Sequence, residues 1–346
     1  MSGNIDLFTL RTMIEPFEQA YSPKSYLLKT FFTRTRTFLT ESVDIDLVNG
    51  SRRMAPFVRP RKMGIDFDRK GFTTRTIKPP MLGPQMPTTA EDLMKRTPGE
   101  GIYFGTKTPQ QRAAEQLGRD LRDLEDSILR REEWMAAQAL FLGKVHMYSK
   151  DEGIDEDVDF QLPGTAKLTG TDLWTNAAST PLEDLAEYAT EMRKTSGYSP
   201  TVCIMGKKAA TALLNHEGIM KYLDNRRVEL GQIRPHELGD GVSYLGHLAF
   251  IGVDVDLLSY EEWFEDDQTG TLTPIVPENR ILPPNPAPRY KMLWGAVASV
   301  AAGVFSARRI PFSWVAPDGS SRYVRLNSRP LPVPVDVNAS YRAEVV

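Results

Sequence analysis

From Val43 the chain alternates, with Val43, Ile45 and Leu47 on one side and Asp44 and Asp46 on the other, until Asn49-Gly50. A period of two ending in Asn-Gly predicts a strand running into a tight turn. Phe57 and Val58 follow the turn, and a polar and aromatic run passes Phe67, Phe72 and Ile77 before Pro79-Pro80. Residues 43–78 therefore read as a long, twisted β-hairpin. Upstream, Tyr26 to Phe38 is dense in aromatics and threonine. It predicts an extended arm with one brief helix, too small to bury itself. Residues 81–108, punctuated by Pro84, Pro87, Pro98 and Gly99, predict a loop.

The strongest periodicity begins at Thr108-Pro109, a good N-cap followed by proline at the first helical position. Apolar residues then recur at Leu117, Leu121, Leu124, Ile128, Met135, Ala139 and Leu142, in steps of three, four or seven, before Gly143-Lys144. A helix over 109–142 is about 50 Å long. Its remainder is crowded with charge: Arg119, Asp120, Arg122, Asp123, Glu125, Asp126, Arg130, Arg131, Glu132 and Glu133. One narrow seam and a charged remainder predict a helix laid along a sheet or a neighbour. Gly118 and the gap between Ile128 and Met135 count against a coiled coil.

Residues 151–160 read as a solvated acidic loop. After 176 the pattern becomes α/β: a helix from Thr180-Pro181 to Gly197, a buried strand over 201–205, helices from Lys207 to Leu214 and through Ile219, Tyr222 and Leu223, a hairpin over 244–258 bent at Gly252, and a strand over 290–300. Prolines 274, 277, 283, 284, 286 and 288 mark a boundary before that last strand. The C-terminal segment reads as short strands broken by the turn Pro317 to Gly319. The fold class is α+β, with no internal repeat.

Composition narrows the class. The chain has 346 residues, 41% hydrophobic and 25% charged, too long for one compact core. No apolar run reaches 18 residues and the first ten carry no basic flank, which argues against a membrane span and a signal peptide. The single cysteine, Cys203, lies in an apolar run, so a disulfide within the chain is impossible and a buried structural thiol is expected. The net charge of −3 divides into +6 over 1–80, −14 over 81–280 and +5 over 281–346. Such blocks pair within one fold or head to tail between identical copies.

The hairpin carries most of the N-terminal positive charge, in Arg52, Arg53, Arg59, Arg61, Lys62, Arg69, Lys70, Arg75 and Lys78. A two-stranded ribbon is marginal alone in water, so it needs a partner surface. The acidic middle of a neighbouring copy is one candidate and nucleic-acid phosphate another.

Catalytic and metal chemistry leave little trace. His146, His216, His236 and His247 share no ligand spacing, and Met220 stands where a zinc-protease motif starting at His216-Glu217 needs its second histidine. Asp151 to Asp159 lacks the spacing of a calcium loop, and Met205-Gly206-Lys207-Lys208 lacks the glycine-rich stretch of a phosphate loop. These features predict no enzyme, cofactor or metal.

The order of elements resembles a family, the lambda-type major head proteins of tailed bacteriophages, over nearly the whole chain. The resemblance rests on Tyr26-Leu27-Leu28-Lys29-Thr30-Phe31-Phe32, on Met54-Ala55-Pro56-Phe57-Val58 with Pro60 and Gly64, on Ile77-Lys78-Pro79-Pro80 and the Pro98-Gly99 loop, on Arg131-Glu132-Glu133-Trp134-Met135-Ala136, on Leu142-Gly143-Lys144-Val145, and on Ser328-Arg329-Pro330-Leu331-Pro332-Val333-Pro334. It implies the Hong Kong 97-type capsid fold: an N-terminal arm (1–42), an extended hairpin loop (43–82), a peripheral domain (83–179) with a spine helix (109–142), an axial domain (180–298), and a return to the peripheral domain with a C-terminal tail (299–346). It also implies hexamers and pentamers in an icosahedral virion shell around double-stranded DNA, assembled in the bacterial cytoplasm with a scaffolding protein and a portal, and in some relatives a small decoration protein. No Lys and Asn pair for cross-linking is identified. An encapsulin-like container, an α/β hydrolase and a basic-armed DNA-binding protein are the alternatives. The arm, ribbon and proline-rich tail are expected to gain their stability from sister molecules.

Overall fold

The structure, a computed structural model, describes residues 25–48, 72–94, 108–149, 153–162, 164–219, 231–239, 241–250, 252–266, 269–284, 290–299, 303–336, 338 and 340–346. The long helix runs from Pro109 to Ala137 and continues as one π-helical turn, Gln138–Leu142, before Gly143 at φ 72°. Both ends follow the local signals. The Thr108 hydroxyl accepts the Gln111 amide at 3.3 Å while the Gln111 side chain accepts the Thr108 amide at 2.9 Å, a complete capping box. Glycine suits the left-handed position that stops the helix.

The seam is buried as expected: Leu117, Leu121, Leu124 and Ile128 pack on Val324 and Leu326. Those two belong to a three-stranded antiparallel sheet ordered Ile310–Val315, Ser321–Asn327, Gln85–Thr89. The loop expected over 81–108 is thus corrected within its described part to the strand Gln85–Thr89 and the helix Ala90–Met94. Pro87 is tolerated because this strand lies at the sheet edge.

Three further two- or three-stranded units surround the helix. Val43–Val48 pairs antiparallel with Phe72–Ile77, from Val43↔Ile77 to Val48↔Phe72, so the predicted hairpin forms at its base. The partner strand begins 24 residues past Val48, and the turn expected at Asn49-Gly50 lies outside the described residues. Lys144–Ser149 pairs with Ile154–Asp159, which corrects the expected acidic loop to the second strand of a ribbon. Finally, Tyr290–Trp294 lies between Arg34–Thr37, parallel, and Pro330–Pro334, antiparallel. Prolines at 330, 332 and 334 all point their missing donors to the same edge, away from the ladder, because strand residues two apart share a side.

A seven-stranded mixed sheet forms the other body, in the order Thr165–Lys167, Arg342–Glu344, Arg280–Leu282, Val202–Met205, Val253–Tyr260, Val242–Phe250, Gly231–Gly239. It draws strands from before 180 and after 299 as well as from between them. The hairpin turns at Gly252, φ 77°, where the sequence places it. Helices Pro181–Ser196 and Lys207–Asn215 bury Leu185, Ala189, Ala209 and Leu213 against one sheet face. The helix expected through Ile219, Tyr222 and Leu223 lies mostly outside the described residues. On the opposite face Ile204, Leu258, Tyr260 and Leu282 share a core with Ala136, Leu140 and Phe141 at the end of the long helix, and with Leu27, Phe31 and Phe32. The arm helix, Tyr26–Thr30, therefore buries itself within its own chain. The tail does likewise, with all five residues of Pro330–Pro334 buried. Both findings correct the expectation that these segments depend on sister molecules.

Candidate functional site

Of the basic ribbon residues, Arg52, Arg53, Arg59, Arg61, Lys62, Arg69 and Lys70 lie outside the described residues. Arg75 sits in the strand Phe72–Ile77, opposite Ile45, and Lys78 pairs with Glu41 at 3.6 Å. What the structure does place is the acidic surface such a ribbon could meet.

In the ribbon 144–159 the cross-strand pairs Lys144↔Asp159, His146↔Asp157 and Tyr148↔Asp155 share one face, since side chains alternate. His146 Nδ1 lies 2.6 Å and Lys144 Nζ 3.0 Å from the Asp157 carboxylate, and these hydrogen bonds hold Asp157 below the usual carboxylate range. The His146 ring stacks on Tyr148 at 6.0 Å. On the other face Val145 and Val158 are buried, while Ile154 near the tip is exposed. That inner face, the segment from Lys78 to Pro84 and the helix face Ser127 to Met135 enclose a groove of about 720 Å³. Its walls are mainly apolar, with Arg131, Glu156 and Arg329 among its charged groups.

The groove wall is braced from behind by an ion cluster that the helix periodicity conceals. Glu132 is fully buried, and Arg309 clamps it with both terminal nitrogens, Nη1 donating to Oε1 at 2.7 Å and Nη2 to Oε2 at 2.9 Å. Arg309 Nε donates to Glu125, Nη1 also to the Ser328 hydroxyl at 3.1 Å, and the Trp294 indole donates to Glu132 at 3.2 Å. Burial opposes the Arg309 charge, but the two carboxylates hold its pKa above the ordinary value. This fork joins the helix to the strands that precede and follow it in space.

Next along the helix, Glu133 is also buried and faces the arm. Its Oε1 accepts the Leu27 amide at 2.7 Å and the Tyr260 hydroxyl at 2.9 Å, and its Oε2 accepts the Leu28 amide at 3.0 Å. Asp120 is buried too, accepting from Gln116 at 2.6 Å. Glu132, Glu133 and Asp120, which the sequence places in the charged remainder of the helix, are thus interior residues.

The remaining sequence candidates stay apart. Cys203 is fully buried, and burial pushes its thiol up to about 12. Lys207 and Lys208 lie on the surface and pair with Glu261 and Glu278. His216 is buried against Ser179 at 3.2 Å, and His247 lies between Asp254 and Asp256. Among the described residues no group of three or more histidine, cysteine or carboxylate side chains could hold a metal ion.

Comparison with known proteins agrees with this architecture. A family model described as phage major capsid protein E matches residues 9–345. The major capsid protein of Enterobacteria phage P21 is 25% identical over 336 residues, covering 94% of this chain and 96% of that protein. The major capsid protein of Escherichia phage lambda is 23% identical over 345 residues, covering 96% and 97%. Among solved structures, a chain assigned as a prophage capsid protein of Escherichia coli CFT073 superposes with a TM-score of 0.68 at 20% identity, over 97% of this chain and 99% of that one.

Proposed function

The chain belongs to the phage major capsid protein E family, and from that premise we propose that its copies close into hexamers and pentamers of an icosahedral phage head around double-stranded DNA. It is a major capsid protein of the Hong Kong 97-type fold, a self-associating structural subunit of the virion. The observation that carries the proposal is the family match over all but the first eight residues and the last. Assembly takes place in the bacterial cytoplasm on a scaffolding protein, with a portal at one vertex; a small decoration protein, as in some relatives, is a further candidate partner. The arm (1–42), extended loop (43–82), spine-helix body, axial body around the seven-stranded sheet and C-terminal return are its working parts. Electron microscopy of the chain expressed with and without its scaffold tests this. Megadalton closed particles are expected, and small oligomers under both conditions overturn the proposal.

In the contact we propose, Arg52, Arg53, Arg59, Arg61, Lys62, Arg69, Lys70 and Arg75 of one copy lie over the Asp155, Asp157 and Asp159 face of its neighbour. Apolar Met54, Phe57 and Val58 of the same ribbon suit the groove beside that face. The support is charge: a chain segment of net +6 and one of net −14 in the same molecule. Changing Arg59, Arg61 and Lys62 together to glutamate is expected to block particle formation while leaving the protomer's helical circular dichroism unchanged. Normal particle yield from that variant removes the ribbon from the contact.

A further inference from the structure

We infer that the docking of the arm segment Ser25 to Thr33 on the body is tuned by one carboxylate latch, Glu133, which caps the arm amides while Leu27, Phe31 and Phe32 supply the apolar hold, and that the segment docks and undocks as a unit. The arm helix has five residues, too few to persist alone, so its conformation depends on what it docks against. Its first-turn amides have no side-chain cap from Ser25, and the Leu27 and Leu28 amides donate instead to a carboxylate more than a hundred residues away. Glu133 thus serves as the cap, and Tyr260 fixes it from the sheet side.

The surrounding core is Leu27, Phe31, Ala136, Ala137, Leu140 and Tyr260, and an apolar residue in place of Glu133 would leave the two arm amides and the Tyr260 hydroxyl without an acceptor. What the carboxylate adds is sensitivity: docking requires that it lose water, and undocking returns it to water. The strand after the arm helix, Arg34–Thr37, has all four residues exposed and holds by its ladder to Tyr290–Trp294. The segment before that ladder is held instead by the Glu133 contact and by the burial of Leu27, Phe31 and Phe32, with Thr33 joining the two parts.

The ionisable groups around Glu133 are Lys29 and Tyr26 on the arm, Tyr260 on the sheet, and Tyr290, against which Phe31 and Phe32 pack at 5.8 and 5.6 Å. On its own helix Glu132 is committed to Arg309. Burial raises Glu133 from 4.5 to about 7, against the opposing pull of its three hydrogen-bond donors and Lys29. With the arm detached the carboxyl is hydrated and returns toward its ordinary value. The docked state therefore binds the proton more tightly, so docking is firmest below about pH 4.5 and weakens as pH rises through about 7. A shift of this size corresponds to a roughly 300-fold loss of docking between the two limits.

Hydrogen exchange of the Leu27 and Leu28 amides in the unassembled full-length chain, corrected for intrinsic rates, reads this directly. Their protection is expected to fall by about 70-fold relative to the body amides of the long helix between pH 5 and 8, the part of the full change that this window spans. Glu133→Gln is expected to flatten that dependence. Tyr260→Phe, which deletes one donor to the charged form and keeps the ring, is expected to lower protection above pH 7 and leave it unchanged at pH 5. Arm amides that track the body at every pH, or the same dependence in Glu133→Gln, overturn the latch. An equal loss in Tyr260→Phe at both pH values overturns it as well. Because the readout uses dissociated protomers, it stands or falls independently of shell assembly.

Discussion

Replacing Arg309 by methionine tests the ion cluster most sharply. The side chain is 3% exposed and makes two bonds to Glu132, which is 0% exposed, and one to Glu125, 13% exposed. Methionine roughly keeps the apolar stem but strands one fully buried carboxylate and one nearly so. Removing one partner of a buried pair typically costs about 3–5 kcal/mol. Arg308 lies 3.4 Å from Glu132 but is half exposed, and Trp294 still donates at 3.2 Å, so the lower end is expected, ~3 kcal/mol. Urea unfolding of the unassembled chain, followed by tryptophan fluorescence, measures this as a shifted midpoint at unchanged slope. Neutralising the stranded group in Arg309→Met/Glu132→Gln should recover at least 1 kcal/mol of the loss, a non-additivity that marks direct coupling. A single-variant cost under about 1 kcal/mol, the range of exposed ion pairs, would falsify the assignment. So would a double variant that simply sums its parts.

Three smaller perturbations follow from local geometry. Gly206→Ala places a Cβ 2.2 Å from the Pro277 carbonyl oxygen and is expected to cost ~3 kcal/mol by the same unfolding assay. Thr108→Ala removes half of the capping box and is expected to cost ~1 kcal/mol, with a small loss of helical circular dichroism. Cys203, its thiol pushed up to about 12, is expected to resist iodoacetamide at pH 8 in the folded chain and to react once urea unfolds it; rapid labelling of native protein contradicts the burial.

Elements with local signals were legible. Thr108-Pro109 and Gly143 bracket the long helix, the capping box adding only Gln111, and Gly252 turns the hairpin at its marked place. Gln85–Thr89 and Thr165–Lys167 were not, because each is a short strand whose partner is distant along the chain. Register to a remote strand leaves no period in so few residues, and Pro87 actively disguises one of them. The buried carboxylates were hidden by averaging over a charged helix. Yet the seam steps from Ile128 to Met135, and the position it skips, four after Ile128 and three before Met135, is Glu132. That gap, read earlier as a defect in a coiled coil, is where a carboxylate replaces an apolar knob. Its partner Arg309 is 177 residues away, so the vacancy was visible and the occupant's role was not.

The division of charge between interior and surface bears on how such a subunit can both fold and assemble. Glu132, Glu133 and Arg309 tie the helix to the arm and the C-terminal strands by interactions that are costly to break singly, which gives the protomer a body before it meets another copy. The exposed carboxylates of Asp155, Asp157 and Asp159 are of the opposite kind. Each exposed ion pair contributes at most about 1 kcal/mol, so a contact built from several forms quickly, depends on salt and reopens when misplaced. A shell of identical subunits needs that reversibility until its last contacts close. On this reasoning raised salt slows particle formation well before it perturbs the protomer, because screening reaches the hydrated face and not the dry fork around Arg309.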